Sequence, residues 1–191
     1  MSGDRKAALR RRMRKLAAER GGVEELSGRI LDHLQRWEVW KTARRVCAFW
    51  PLADEPGLLA PWPADRAVAL PRVQGDRMEM FVTGSREELV PGAFGVLEPS
   101  DSAVPMEPSA IDVILVPGLA FDRSGGRLGR GKGYYDKYLA GASGLKVGVC
   151  FDEQIVGTIP HEAHDRAMDA VVTPSGIILC APRNIRSGRG G

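Results

Sequence analysis

The chain has 191 residues, of which 43% are hydrophobic, 27% charged and 6% aromatic. This composition is close to the average for folded soluble domains, which excludes a collagen-like or largely disordered chain, and the length predicts a single domain. The longest apolar run, Val113 to Phe121, is shorter than the roughly 20 residues that cross a bilayer. The net charge of +3 is unevenly spread, because residues 1–20 carry eight Lys or Arg against two acidic residues, a net +6, which leaves −3 for residues 21–191.

Two helices are predicted at the start of the chain. Leu9, Met13 and Leu16 recur at four- and three-residue intervals within residues 5–20, and residues 23–37 show the same periodicity. The Gly21-Gly22 pair between them is typical of a helix end.

The rest of the chain alternates between short apolar runs and polar segments. Seven runs bounded by Gly, Pro or Asp are typical of buried strands: Arg45–Pro51, Ala67–Leu70, Met78–Val82, Ile111–Val116, Leu145–Phe151, Ala170–Thr173 and Ile177–Cys180. Lys132–Ala140 and Glu153–Ile159 are predicted to be helical, and residues 98–109 to form a loop. This alternation predicts an α/β fold with an open, mostly parallel sheet and helices on both faces, a Rossmann-like three-layer arrangement.

The domain organisation follows from the same pattern. We expect one domain over residues 1–182, in which the helical pair of residues 1–37 packs on the sheet. The tail of residues 183–191 is rich in Gly, Arg and Ser and is predicted to be disordered.

A glycine-rich, cationic loop follows the predicted strand that ends at Val116. Glycines at 125, 126, 129, 131 and 133 allow the backbone to adopt positive φ and to expose consecutive N–H groups, which bind anions near a helix N-terminus. Arg127, Arg130 and Lys132 add three cations, so the loop predicts a site for a polyphosphate such as ATP.

The loop is not a true P-loop. Gly126, Gly131 and Lys132 match most of that signature, but Gly133 stands where a P-loop has the hydroxyl that holds Mg²⁺. Asp136 is placed to supply a carboxylate for Mg²⁺ instead; the alternative is a favourable charge in the first turn of a helix.

Cysteine and histidine spacing adds little to these expectations. Cys47, Cys150 and Cys180 lie in separate apolar stretches, which predicts free thiols and a reducing compartment. His161 and His164 lie three residues apart without a nearby Cys or third His, so we do not expect a zinc site.

Three segments together resemble a known family. Residues 128–136, Leu-Gly-Arg-Gly-Lys-Gly-Tyr-Tyr-Asp, behind a strand that ends Val-Pro-Gly-Leu-Ala-Phe-Asp, closely resemble the 5-formyltetrahydrofolate cyclo-ligases, also called methenyltetrahydrofolate synthetases. Lys6-x-x-Leu9-Arg10 is similar to the family's amino-terminal nucleotide-binding stretch, and the segment from His164 to Thr173 to its carboxyl-terminal signature. The resemblance runs from Lys6 to about Leu179.

This resemblance implies an enzyme, a C–N bond-forming ligase that closes 5-formyltetrahydrofolate to 5,10-methenyltetrahydrofolate and releases ADP and phosphate. It implies Mg²⁺ as cofactor and ATP as co-substrate. From the sequence as a whole we also expect a cytoplasmic monomer without a nucleic-acid or membrane partner. Because the match begins at Lys6, we do not expect the Arg-rich start to be an organelle transit peptide.

The resemblance also implies roles for individual residues. ATP would be bound by Lys6, Arg10, Arg127, Leu128, Gly129, Arg130, Gly131, Lys132, Gly133, Tyr134 and Tyr135. The folate would be bound by Trp50, Glu55, Arg130, Gly131, Lys132, Gly133 and Tyr134, with Trp50 stacking on the pterin and Glu55 accepting its N–H groups. Arg130 and Lys132 would be the catalytic residues, and Asp136 and Asp169 the ligands of Mg²⁺.

Two other functions remain open at this point. Pro56-Gly57 departs from the usual family pattern, which leaves room for another ATP-using enzyme with a different amide-like substrate on the same scaffold. A nucleic-acid binder that uses the basic first helix is disfavoured, since residues 1–20 contain no aromatic, Asn or Gln side chain to read bases.

Overall fold

A seven-stranded sheet forms the centre of the molecule, in a computed structural model that describes residues 2–92 and 95–180. The helices are α1 (Ser2–Ala18), α2 (Val23–Arg36), α3 (Glu38–Thr42) and α4 (Tyr134–Leu139). The strands are β1 (Arg45–Cys47), β2 (Ala67–Gln74), β3 (Arg77–Thr83), β4 (Leu89–Pro91), β5 (Leu97–Pro99), β6 (Val113–Pro117), β7 (Ala120–Asp122), β8 (Arg127–Leu128), β9 (Leu145–Val149), β10 (Ile155–Val156), β11 (Ala170–Thr173) and β12 (Gly176–Leu179).

The central sheet has the order β12-β11-β9-β6-β1-β2-β3. The five inner strands run parallel, and the hairpin partners β3 and β12 close the two edges in antiparallel register. All seven apolar runs predicted as strands form this sheet. They are nearly continuous in apolar residues because parallel strands are buried on both faces: all four residues of β11 are buried.

Helices cover both faces of the sheet, which confirms the predicted three layers. Ile30 and Leu34 of α2 and Trp40 of α3 lie in the core on one face, whereas Tyr138 and Leu139 of α4 lie in the core on the other. The loop that enters α4 is therefore held beside the sheet.

The first helix packs elsewhere. Met13 of α1 is 2% exposed and contacts a separate small core formed by residues around β7, β8 and β10, including Leu119 and Leu128. Strands β7, β8 and β10 form a three-stranded sheet, and β4 and β5 form a hairpin. The basic face of α1 thereby lies next to the glycine-rich loop.

The predicted helix over residues 153–159 is wrong. The segment forms a short 3₁₀ turn at Asp152–Gln154 and then β10, whose Ile155 is opposite Phe121 of β7. The buried Gln154 amide donates to the carbonyl oxygens of Gly118 and Leu119, and these tertiary hydrogen bonds hold the chain in the turn. Local helix propensity is overridden by such contacts.

Two further expectations concern loops and the chain end. Residues 98–109 are mostly irregular, as predicted, but their first two residues belong to β5. The predicted disordered tail, residues 183–191, lies outside the described residues. Within the described residues, no helix has the length and apolar character needed to cross a membrane.

Candidate functional site

One cavity of about 590 Å³ lies at the carboxyl ends of β1 and β6. The segments that leave parallel strands meet at this edge of an α/β sheet, where such folds bind ligands. The wall combines β8 and the loop after it, the start of α4, the segment after β1, part of α1, β5 and residues near 162–165. From these elements it includes Lys6, Arg10, Trp50, Glu55, Glu98, all of residues 127–136, Glu162, His164 and Asp165.

Three of the five glycines of the glycine-rich loop adopt the left-handed backbone conformation that glycine allows. Gly125, Gly131 and Gly133 have φ of 83°, 108° and 73°, whereas Gly126 and Gly129 do not adopt positive φ. Gly133 lies directly before α4, so its conformation sets the direction in which the loop enters the helix.

A buried aspartate, which the sequence reasoning missed as a site residue, holds the first part of this loop. Asp122 is 1% exposed, and its Oδ1 accepts hydrogen bonds from the Ser124 N–H and hydroxyl and from the Gly126 N–H, at 3.0, 2.7 and 2.8 Å. Its Oδ2 accepts from the Ile159 N–H at 2.8 Å. One carboxylate thus links the β7–β8 turn to the segment that precedes residues 161–165.

The loop arginines bind carboxylates of the protein itself. Arg127 donates to Asp136 Oδ2 at 2.8 Å and to the Pro117 carbonyl at 3.3 Å. Arg130 donates from Nε and Nη2 to Glu55 Oε1, at 3.1 and 3.0 Å, and from Nη2 to Asp54 at 2.6 Å. Arg130 therefore connects the predicted phosphate loop to the predicted folate segment.

Lys132 differs from these arginines. Its side chain is exposed and lines the cavity, and within residues 2–92 and 95–180 no hydrogen bond or ion pair engages its ammonium group. It is the loop cation that a ligand can approach without displacing a protein carboxylate.

Helix α1 brings two further predicted residues to the cavity. The Lys6 side chain is 8% exposed, and its ammonium group contacts Glu162 and Asp165 at 2.8 Å each. The Arg10 Nε donates to the Gly129 carbonyl at 3.0 Å. Burial lowers the pKa of Lys6, but the two carboxylates outweigh it and leave that pKa raised. The hydrogen bond from Lys6 lowers the pKa of Glu162.

Glu162 and Asp165 are residues that the sequence reasoning missed, and they lie beside His164. Ligand atoms of these three residues lie within 4.8 Å of one another, but Lys6 already supplies a cation to both carboxylates. The sequence offered the His161-x-x-His164 spacing, from which no zinc site was expected, and the family-like segment from His164 to Thr173, but neither indicated a partner for Lys6.

The predicted folate segment also lies in the cavity wall. Trp50 is partly buried, and Glu55 is 8% exposed, with Oε1 bonded to Arg130 and Oε2 accepting from the Leu52 N–H at 3.1 Å. Burial raises the pKa of Glu55, against the opposing effect of Arg130. Both oxygens of this carboxylate already have protein partners.

The two tyrosines at the start of α4 have different surroundings. The Tyr134 hydroxyl donates to the Gly75 carbonyl at 3.3 Å, whereas the Tyr135 hydroxyl is buried and has no hydrogen-bond partner among the described residues. Burial raises the pKa of Tyr135 far above its ordinary range, so the phenol stays neutral. Both rings line the cavity.

A second buried glutamate of the cavity was not predicted. Glu98 of β5 is 8% exposed and lines the cavity, although its sequence context, a Pro- and Ser-rich stretch, indicated only a loop. A buried acid in a hairpin is not visible from spacing alone.

The structure separates the two predicted metal ligands. Asp136 lies in the cavity wall, with Oδ2 bonded to Arg127 and Oδ1 accepting a 3.3 Å hydrogen bond from the Arg166 N–H. Asp169 precedes β11 at the amino ends of the parallel strands, where its side chain accepts from the Lys146 N–H at 2.8 Å, and it does not line the cavity. The geometry does not bring Asp169 together with Asp136, because Asp136 lies in the cavity wall at the carboxyl ends of the parallel strands and Asp169 lies at their amino ends.

Comparisons with known proteins agree with this architecture. The model of the 5-formyltetrahydrofolate cyclo-ligase family matches residues 2–174. A 5-formyltetrahydrofolate cyclo-ligase of Mycolicibacterium smegmatis is 39% identical over 72% of this chain and 77% of its own, and the mouse protein of that name is 30% identical over 87% and 90%. The structure of Aquifex aeolicus 5,10-methenyltetrahydrofolate synthetase is 31% identical and superposes with a TM-score of 0.83 over 97% of this chain and 95% of that one. This chain belongs to the 5-formyltetrahydrofolate cyclo-ligase family.

Proposed function

We propose that this enzyme closes 5-formyltetrahydrofolate to 5,10-methenyltetrahydrofolate and converts ATP to ADP and phosphate. The observation that carries the proposal is a single cavity with a cationic glycine-rich loop in one part of its wall and an aromatic, acidic surface in another. Family membership gives the reaction, and the cavity wall offers cations for the phosphates and aromatic and acidic side chains for the folate.

The reaction needs ATP because a formamide oxygen is a poor leaving group. The formyl oxygen attacks the γ-phosphorus, the bond from that phosphorus to the bridging oxygen breaks, and ADP leaves. N10 then attacks the activated formyl carbon, the carbon–oxygen bond breaks, phosphate departs, and N10 loses its proton. No nucleophilic side chain is required, so the protein acts by positioning the substrates and stabilising charge.

The chain's own residues suit these tasks. Lys132, exposed and free of carboxylate partners among the described residues, is available to the phosphates as a mobile point charge. Arg130, held by Glu55 and Asp54, is fixed between the two parts of the cavity and can align the formyl oxygen with the phosphate.

We propose that Mg²⁺, when bound, is held by Asp136, with water and phosphate oxygens completing its coordination. The fit is reasonable because Mg²⁺ usually takes one or two protein carboxylates, and the long contact to Asp136 Oδ1 leaves that oxygen with lone-pair capacity. The ion would neutralise charge on the phosphates. We leave Asp169 out of this proposed site.

A direct assay tests the function. The purified chain is mixed with 5-formyltetrahydrofolate and MgATP, and the methenyl product is followed by its near-ultraviolet absorbance. We expect product only with ATP present, and none from 5-methyltetrahydrofolate, which has no carbonyl oxygen to phosphorylate. ATP turnover without methenyl product would instead favour the different amide-like substrate.

The role of Lys132 can be tested by two matched variants. Loss of a charge-assisted phosphate contact costs about 1.5–3 kcal/mol, so Lys132→Ala should raise the KM for ATP roughly 10- to 100-fold. Lys137→Ala, which removes an exposed lysine of α4 that binds Asp76, should not. Equal KM values for ATP in the two variants would remove Lys132 from the proposed site.

We also propose that the enzyme is a cytoplasmic monomer that acts on small molecules. The free thiols of Cys47 and Cys150, both buried, support a reducing compartment. Light scattering of the purified chain tests the monomer, and a dimer mass would refute it.

A further inference from the structure

The cavity contains a carboxylate that the reaction scheme does not use. Glu98 is 8% exposed, yet across residues 2–92 and 95–180 no hydrogen bond or ion pair reaches its oxygens. The two oxygens are not fully enclosed by protein and open to the cavity, where a ligand can donate hydrogen bonds to them. Glu98 is therefore a candidate to bind the substrate.

Glu55, the acid predicted from sequence to receive the pterin, is in the opposite situation. Arg130 occupies its Oε1 and the Leu52 N–H its Oε2. A ligand donor would have to share or displace these bonds, whereas Glu98 accepts new hydrogen bonds without losing any that the structure describes.

The surroundings of Glu98 indicate which part of a ligand it meets. Strand β5 contacts β2 and β3, and Val73 and Met78 of those strands line the same cavity. The side chains of this wall are apolar apart from the Glu98 carboxylate, whose negative charge repels phosphate. The cations of the cavity lie on α1, on β8 and on the loop after β8. The Glu98 wall suits a flat ring with N–H donors.

We propose that Glu98 binds the aminopyrimidine edge of the folate by accepting hydrogen bonds from its 2-amino group and N3–H. This inference rests on the proposed function, since it names the part of the substrate that this wall receives. The two donors lie side by side on one edge of the ring, and a carboxylate presents two oxygens at matching spacing, so the contact is bidentate and charge-assisted. Glu55, in the same cavity, holds Arg130.

Gly92 supplies an independent way to disturb the contact. A methyl group at Gly92 would lie 2.4 Å from the Glu98 carboxyl carbon, and this atom is at the end of a flexible side chain. Gly92 does not have a positive φ, so Gly92→Ala should displace the carboxylate without straining the backbone.

Steady-state kinetics of three variants test the proposal. Glu98→Gln places an amide donor against the ring donors and should raise the KM for 5-formyltetrahydrofolate about 10- to 100-fold, with the KM for ATP unchanged. Gly92→Ala should also raise the KM for 5-formyltetrahydrofolate. Glu79→Gln, the same substitution at an exposed position on β3, should match the wild type.

A substrate analogue makes the test specific. A 5-formyltetrahydrofolate analogue with hydrogen in place of the 2-amino group should have a KM about tenfold higher with the wild type. With Glu98→Gln the increase should be much smaller, because this variant has already lost the carboxylate that accepts from the 2-amino group. An unchanged folate KM in Glu98→Gln, or equal losses for both enzymes with the analogue, would overturn the assignment. Failure of the proposed function is distinct, because the wild type itself would then make no methenyl product.

Discussion

Asp122 gives the sharpest test of how the cavity is held together. In Asp122→Asn the amide oxygen can keep the three bonds now made to Oδ1, but the amide nitrogen then faces the Ile159 N–H at 2.8 Å. That buried N–H loses its acceptor, which costs about 1–3 kcal/mol, and the remaining bonds weaken because they lose the charge on the acceptor. We expect the free energy of unfolding to fall by roughly 2–4 kcal/mol, within the 5–15 kcal/mol typical of a domain.

Urea unfolding at neutral pH, followed by circular dichroism, measures this difference. Ser124→Ala is the matched comparison, since it removes the hydroxyl donor to Asp122 and keeps the backbone donor, and it should cost only about 0.5–1.5 kcal/mol. If Asp122→Asn were as stable as the wild type, or no less stable than Ser124→Ala, the carboxylate would not be the centre of this network.

Three further outcomes are expected. Asp136→Asn should raise the Mg²⁺ concentration for half-maximal activity about tenfold, whereas Asp169→Asn should leave it unchanged; equal shifts would contradict the separation seen in the sheet. Gly148→Ala places a methyl group 2.5 Å from the buried Phe121 ring and should lower the free energy of unfolding by about 1–3 kcal/mol, and a neutral result in urea unfolding would show that the ring can move aside. The carboxylates bonded to Lys6 have lowered pKa values, so their stabilising effect is present above the ordinary carboxyl pKa and is lost as the pH falls through the lowered values. The difference in free energy of unfolding between the wild type and Lys6→Met should therefore become smaller in acid. A difference that stays constant with pH would contradict a stabilising role of these ion pairs.

The sheet was predictable because burial on both faces leaves a strong local signal. Apolar runs such as residues 113–116 and 170–173 can lie only in the interior, and each became an inner strand. Residues 153–159 carried no such signal, since their turn depends on hydrogen bonds from Gln154 to carbonyls more than 30 positions away. A window of neighbouring residues does not contain that information.

The sequence was sufficient to predict which residues form the site, but not which acidic side chain pairs with which basic one. The sequence located the loop cations, Trp50 and Glu55, and all of them line the cavity. It did not show that folding supplies carboxylates to Arg127 and Arg130 and none among the described residues to Lys132. Which acid meets which base depends on distances between segments, so Asp122, Glu98 and Glu162 were not recognised.

The Phe121 ring also has a consequence for how this sequence can change over time. Side-chain atoms at Gly118 and Gly148 would lie 2.7 and 2.5 Å from the ring, so one aromatic group fills the volume that three side chains would otherwise share. A larger residue at either glycine position becomes compatible only when position 121 shrinks. We therefore expect positions 118, 121 and 148 to vary together among relatives, so that the total side-chain volume at the three positions stays nearly constant.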